Sequence, residues 1–257
     1  MVTMYKNLIF IAAGGKGRRL RETIPYLRDN DLPKSLGIFI KGVPVLAYQL
    51  SNLIKVKDYQ ILLAFNDEKS IEVFKNFVRK GLIPKHNYLY FVDPYKTSNT
   101  MIDVLRGSKI QDVLHKGFET VITTSGDIYY NSEHVHEMVN LYKRFKCNVQ
   151  TVRPLKKYMA MLKRHFHPIE NSQGFLKKVK ISTVIPKEIA SHPQLLIASA
   201  FKTYLSVPKG TLESEFVIKA LERGEKFRVI RPKQYVNVNL PRDYKMLKKI
   251  FNLYETS

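Results

Sequence analysis

The chain has 257 residues, a hydrophobic fraction of 44%, and 43 Lys and Arg against 22 Asp and Glu, a formal charge of +21. That length can bury a substantial core, and the lone Cys147 excludes an internal disulfide and favours a reducing compartment. No apolar run approaches the roughly 20 residues of a membrane span. The excess positive charge favours phosphate-bearing partners (nucleotides, polynucleotides or lipid headgroups) without choosing among them.

Lys6 and the apolar stretch Leu8 to Ala13 imitate the start of a signal peptide, but the stretch is short and a basic loop follows it, so the expected location is cytoplasmic. Residues 7–13 read as a buried strand that drops into Gly14, Gly15, Lys16, Gly17, Arg18 and Arg19. Glycines at such a strand end permit positive φ and close approach of a ligand to backbone N–H groups, the donors a phosphate needs. The plainer alternative is a glycine turn bearing solvated basic side chains. Further strands are expected over 59–65, 87–92, 118–125 and 147–152. Helices are expected over 43–56, 67–80, 99–115 and 131–146, where apolar positions recur at three- and four-residue spacing. This alternation predicts right-handed crossovers and a mostly parallel sheet covered on both faces.

After residue 152 the rhythm breaks. Runs 176–185, 195–207 and 226–231 suggest strands or strand–helix pieces of a mixed-sheet extension, followed or separated by helical patterns over 211–223 and 241–254. Between Arg153 and Lys187 nine basic residues face one acid, Glu170, a local excess of +8 that most simply forms a solvated face. No repeat, low-complexity segment or long Pro/Gly/Ser linker divides the chain, which reads as a single domain. The pairs His134/His136 and His165/His167 lack a Cys or acidic partner at zinc spacing and read as surface residues. Ser35, Ser125 and Cys147 show no Ser/His/Asp or Cys/His pattern of a nucleophile.

The glycine loop has neither the Rossmann spacing with its later acidic residue nor the Gly-Lys-Ser/Thr ending of a P-loop. Taken with Leu32-Pro33-Lys34-Ser35-Leu36 and Gly42-Val43-Pro44-Val45-Leu46, the segment from Ala13 to Leu20 resembles the signature of the sugar-phosphate nucleotidylyltransferase superfamily. Gly126-Asp127, closing an apolar run from Val121, is similar to that family's strand-end Gly-Asp, and Tyr235 to Tyr244 is similar to its Asp-Ile-Gly-Thr-Pro-Glu-Asp-Tyr ending.

The resemblance implies an α/β fold, a Rossmann-like three-layer sandwich with a mostly parallel mixed sheet, helices on both faces and a C-terminal acceptor-side extension. It divides the domain into a nucleotide-binding half, 1–152, and an acceptor-binding half, 153–257. It implies a Mg²⁺-dependent transfer that joins a nucleoside triphosphate to a sugar 1-phosphate and releases pyrophosphate. On this reading Arg19 holds the β/γ-phosphates, Lys34 contacts the α-phosphate, and Asp127 with Asn237 carries Mg²⁺. Ala13, Gly14, Gly15, Lys16, Gly17, Arg18 and Gly126 line the nucleotide, with Ser98, Asn99 and Thr100 as base contacts or a simple helix cap.

Departures from the pattern leave alternatives open. Asn237 stands where many members place a second Asp; its amide oxygen suits a hard cation but adds no charge. The segment from Arg19 to Lys34 is a few residues longer than usual, and no clear Glu-Lys-Pro element is present. Lys178 or Lys180 is the substitute for its acceptor-phosphate lysine, against the plainer reading of solvated edge-strand lysines. A cytidylyltransferase acting on a phosphorylated polyol or choline phosphate fits the same signature. From another class, a catalytically weakened basic module binding nucleic acid or other polyanions fits the charge. The sequence carries no signal for oligomeric state.

Overall fold

A computed structural model describes residues 5–22, 31–93, 101–105, 117–155, 165–183, 186–208, 211 and 213–253. Strand β1 (Asn7–Ala12) is the hub. Its Leu8 and Phe10 enter one core and Ile9 and Ile11 the other, all fully buried, as period-two alternation in a sheet covered on both faces requires. Each such side chain withdrawn from water stabilises the fold by about 1.5–3 kcal/mol.

β4 (Tyr59–Phe65) and β6 (Thr120–Ser125) flank β1 in parallel, with Ile9 opposite Ile61 and Ile122. β5 (Tyr88–Val92) continues outward from β4. On the other side lie β11 (Glu188–Ile197), β8 (Asn148–Pro154) and β12 (Phe227–Ile230), giving one seven-stranded sheet in the order β12-β8-β11-β6-β1-β4-β5. Only β11 runs against the rest. The expected mostly parallel mixed sheet is therefore present. Its chain order turns back at β1, from β4 and β5 on one side to β6 on the other, and such a switch point opens a crevice at the strands' carboxyl ends.

Helices α3 (Val45–Leu53), α4 (Glu68–Arg79) and α6 (Glu133–Phe145) accompany the core that contains Ile9, Ile61 and Val149. Helices α5 (Met101–Leu105), α7 (Ala198–Ser206) and α8 (Glu213–Glu222) accompany the opposite core. Asp67 caps α4 by accepting from the Ser70 N–H at 2.7 Å. The expected helix over 43–56 is shorter, because Val43–Pro44 (β3) first pairs with Phe39–Ile40 (β2). Residues 106–116, which hold most of the helix expected over 99–115, lie outside the described residues.

A third, smaller core joins distant parts of the chain. Leu20 of α1 (Arg18–Arg21) packs with Ile38, Ile40, Val45, Val236, Val238 and Leu247 of α9 (Pro241–Leu253). Two short strands that the sequence reading does not anticipate, β7 (Ile128–Tyr130) and β13 (Tyr235–Asn237), pair antiparallel, with Asn237 opposite Ile128. Each is three residues long, too short for a periodic signal.

Outside the large sheet, β9 (His165–Glu170) and β10 (Leu176–Ser182) form a hairpin. Arg231, just after β12, bonds Glu188 of β11 and Glu170 of β9, tying the hairpin to the sheet. The histidine reading needs correction. His134 lies on α6 and is buried, its Nε2 2.9 Å from the Thr151 hydroxyl, because residue 134 falls on the face that α6 turns to β8. His136, two residues on, is exposed.

Candidate functional site

The glycine loop leaves β1 with its carbonyls turned into the protein. The Ala12 oxygen accepts from the Gly126 N–H at 2.9 Å, and that of Ala13 from the Ser35 hydroxyl at 2.6 Å. Gly14 accepts from the Asn66 amide, Gly15 from the Lys34 N–H at 2.9 Å, and Lys16 from Arg21 Nε at 2.7 Å. Gly17 accepts from the N–H groups of Leu20 and Arg21. Six consecutive carbonyls are thus consumed.

On the donor side, the Ala13 N–H bonds the Ala64 carbonyl and anchors the loop to the sheet. The N–H groups of Gly14, Gly15, Lys16 and Gly17 donate to nothing among the described residues, and Gly15 and Lys16 are exposed. A run of backbone N–H groups with its carbonyls sequestered is a concavity of positive potential, suited to an anion.

Only Gly17 uses the left-handed backbone, at φ +62°; a Cβ there would also stand 2.9 Å from Lys34 Cβ. Gly14 is required for a different reason: a Cβ on it would collide with the Asn66 side chain. Gly126 sits between Ala13 and Ser35, where an added Cβ would be 3.2 Å from both Ala13 Cα and Ser35 Cβ. Glycine at 126 therefore lets β6 end hard against the loop and sets down Asp127 beside it.

Lys34 opens the short helix α2 (Lys34–Gly37), and its ammonium group is the centre of the site. It forms an ion pair with Asp127, donates to Asn239 Oδ1 at 2.6 Å and to the Val238 carbonyl at 3.2 Å. Both side chains are largely buried, 12% and 8% exposed. The other Asp127 oxygen accepts from the Ser125 hydroxyl. Asn239 Nδ2 donates to Asn237 Oδ1 at 2.6 Å, and the Val238 N–H donates to the Asp127 carbonyl at 3.0 Å. Asp243 closes the turn by accepting from the N–H groups of Asn239 and Leu240 at the start of α9. Lys34, Asp127 and Asn237, chosen from three separated motifs, are therefore members of one hydrogen-bonded network.

A second cluster flanks this network along the same sheet edge. Arg153, near the carboxyl end of β8, is only 7% exposed. Its guanidinium carbon lies 5.1 Å from the centre of the Tyr235 ring, and its Nε donates to the Ser191 hydroxyl at 3.2 Å. Ser191 Oγ and the Tyr235 hydroxyl are 2.8 Å apart. Burial raises the Tyr235 phenol above its ordinary value; Arg153 and the Ser191 hydrogen bond pull the other way, and the Asp127 charge adds to the rise.

The donor chemistry can be tested against a divalent cation. Asp127, in the turn just before β7, and Asn237, on β13 opposite Ile128, offer hard oxygens, and a cation, the Lys34 ammonium, already rests on the Asp127 carboxylate. No group of three His, Cys, Asp or Glu able to hold a metal occurs among the described residues. The set fits Mg²⁺ in its usual style, in which one or two protein oxygens are completed by water and substrate phosphates.

Other sequence-selected residues stand apart. Lys178 and Lys180 are exposed on β10, opposite Ile169 and His167, outside the large sheet. The side chains of Arg18 and Arg19, and residues Ser98, Asn99 and Thr100 entirely, lie outside the described residues. Asn66, Ser125, Asn239, Ser191, Tyr235 and Arg153 are additions that sequence reasoning did not select for the site. Asn239, two positions beyond Asn237, carried the one available signal, since residues i and i+2 of an extended segment can serve one site.

No family model and no curated protein matches the chain. Solved structures do match. The chain superimposes on a UDP-glucose pyrophosphorylase complexed with UDP-glucose at a TM-score of 0.71 and 12% identity, over 99% of this chain and 100% of that one. It superimposes on the inositol-1-phosphate CTP transferase from T. maritima at 0.64 and 14%, over 95% and 96%. A nucleotidyl transferase from Methanothermobacter thermautotroptrophicus gives 0.63 and 16%, over 98% and 100%. The chain has the nucleotidyltransferase fold. At such low identities these likenesses carry the fold alone, and the chemistry rests on the side chains described above. No helix among the described residues is long and apolar enough to cross a membrane.

Proposed function

We propose that this chain is a nucleotidyltransferase that joins a nucleoside triphosphate to a phosphorylated small molecule, in the first instance a sugar 1-phosphate, and releases pyrophosphate. One observation carries the reading: the N–H groups from Gly14 to Gly17, stripped of carbonyl competition, lie beside a buried Lys34–Asp127 pair. This combination suits a triphosphate whose α-phosphorus must be held for in-line attack.

An oxygen of the acceptor phosphate attacks the α-phosphorus and forms the new P–O bond, while the bond from the α-phosphorus to the bridging oxygen of the β-phosphate breaks and pyrophosphate departs. No proton need move at the attacking oxygen, so the protein contributes positioning and charge neutralisation. The loop amides, with Lys16, Arg18 and Arg19, take the β- and γ-phosphates. Lys34 passes from Asp127 to the α-phosphate. Asp127 and Asn237 would hold Mg²⁺, which when bound supplies Lewis-acid charge to the phosphate oxygens. Ser98, Asn99 and Thr100 are proposed to read the base, with residues 1–152 serving the nucleotide and 153–257 the acceptor.

The test is pyrophosphate release from a panel of nucleoside triphosphates against sugar 1-phosphates, with CTP and phosphorylated polyols or choline phosphate included. Turnover of one pair, lost in Lys34→Ala and in Asp127→Ala, is the expected result. Absence of turnover with every pair, or full activity in both variants, would overturn the proposal.

A further inference from the structure

Each side-chain oxygen that the proposed cation would need is already in use. One Asp127 carboxylate oxygen accepts from the Ser125 hydroxyl and the other from the Lys34 ammonium group. Asn239 Oδ1 also accepts from Lys34, at 2.6 Å, and Asn237 Oδ1 accepts from Asn239 Nδ2, at 2.6 Å. With the Val238 carbonyl at 3.2 Å, Lys34 has one oxygen for each of its three N–H donors. A carboxylate, an amide oxygen and a main-chain carbonyl are the hard donors that a divalent ion also accepts. In the free chain a side chain fills their cage.

The stem of Lys34 ties this cage to the glycine loop. A Cβ on Gly17 would stand 2.9 Å from Lys34 Cβ and 3.1 Å from its Cδ, and one on Gly15 would stand 3.4 Å from Cε. The Lys34 N–H donates to the Gly15 carbonyl at 2.9 Å, so backbone and stem both lie along the loop. A phosphate seated on the N–H groups of Gly14 to Gly17 would sit beside that stem. The ammonium can then change partners by side-chain rotation alone.

Charge sets the order of events. While the ammonium stays, an incoming dication meets a positive charge on a carboxylate that is only 8% exposed. A polyphosphate on the loop offers the ammonium several charged acceptors in place of one. Departure of the ammonium leaves Asp127 a buried, uncompensated charge, which a cation relieves.

We propose that Lys34 is a built-in placeholder for the metal ion, keeping divalent cations off Asp127 until a polyphosphate on the glycine loop draws it away. The proposal rests on the nucleotidyl-transfer reading for the identity of the polyphosphate and the metal. The two ligands are thereby linked. Polyphosphate favours the metal by emptying the cage, and metal in the cage favours polyphosphate by keeping the lysine out.

The experiment measures Mn²⁺ binding by electron paramagnetic resonance, without nucleotide, in the wild-type chain, Lys34→Met, Lys34→Gln and Lys34→Met/Asp127→Asn. Both single variants are expected to bind Mn²⁺ at least about tenfold more tightly than wild type, since a competing charge is gone. The double variant loses that gain. Side-chain ammonium NMR of the wild-type chain, with no metal present, follows the water-protected Lys34 signal as inorganic tripolyphosphate is added. The signal is expected to shift as the lysine leaves Asp127, a readout that holds even if neither Lys34 variant folds.

Equal Mn²⁺ binding in wild type and folded Lys34 variants would overturn the proposal, as would a gain that survives Asp127→Asn. An ammonium signal unmoved by tripolyphosphate would overturn it too. Tightened Mn²⁺ binding in the variants of a chain that turns over no substrate pair would sink the nucleotidyl-transfer reading and leave the placeholder standing. Turnover in wild type with no gain in the variants would do the reverse.

Discussion

The two flanks of the site are built from different materials. On the β1–β4 side the surface is main chain: four successive N–H groups that donate to nothing among the described residues, while the carbonyls from Ala12 to Gly17 are engaged. On the β8–β11 side it is side chain: a buried guanidinium held by a ring and a hydroxyl. A backbone cradle accepts any polyphosphate and is indifferent to base, whereas a side-chain cluster reached through sheet register can be exchanged residue by residue. On the proposed function, generality belongs to the first flank and selectivity to the second, and Lys34 and Asp127, between them, serve both.

The strongest test strikes that shared centre. Lys34→Ala or Asp127→Ala should lower pyrophosphate release by about 10²–10³-fold, the scale on which a preorganised charge at a transferring phosphoryl group acts. Because each variant strands the partner's buried charge, the Lys34→Ala/Asp127→Ala double variant should melt above Asp127→Ala alone, which separates chemistry from stability in thermal scans.

The packing of α6 on β8 should show an acid weakness that the glycine loop lacks. Burial holds the His134 imidazole down at about 4, against 6.5 in the unfolded chain. The unfolded state therefore takes up the proton first, so stability is complete above about pH 6.5 and falls as the pH drops toward 4, by about 3 kcal/mol over the window. Urea titrations at pH 7 and pH 4 measure that difference, and His134→Gln should shrink it.

Gly14→Val separates the flanks. The added atoms drive into Asn66, and nucleotide binding should fall about 30-fold, the cost of an overpacked contact, while binding of the phosphorylated acceptor is retained. Equal loss of both would erase the distinction between main-chain and side-chain flanks. Asn237→Asp should tighten Mn²⁺ binding by about tenfold, measured by electron paramagnetic resonance, since it adds a charge to a neutral oxygen donor. The smallest change is expected on the hairpin: Lys178→Ala with Lys180→Ala should move acceptor KM by no more than about threefold.

Legibility in the sequence followed the same division. Strands β1, β4 and β6 announced themselves as apolar runs closed by turn residues, the glycines at 14, 15 and 17 marked a loop open to close approach by a ligand, and Gly126 was legible through motif resemblance. Their reasons were only partly visible: positive φ was expected along the loop, but Gly14 is there to clear Asn66, a residue 52 positions away. Lys34, Asp127 and Asn237 were legible through motif resemblance, and Asn239 by its spacing.

Arg153 was not, although it stood in plain view as the first of the nine basic residues between Arg153 and Lys187. Its burial depends on a register with β11 and on the ring of Tyr235, neither of which any local pattern encodes. His134 was misread for the same reason, since only the seating of α6 on β8 decides which of two neighbouring histidines meets water.

The hydrogen bond from Lys34 to Asn239 joins residues 205 positions apart. At about 5–20 residues per second, a ribosome spends roughly 10–40 s between making the lysine and making its amide partner. The glycine loop therefore leaves the ribosome long before β13 and Asn239 exist, and the hydrogen-bonded network around Lys34 cannot close until they do.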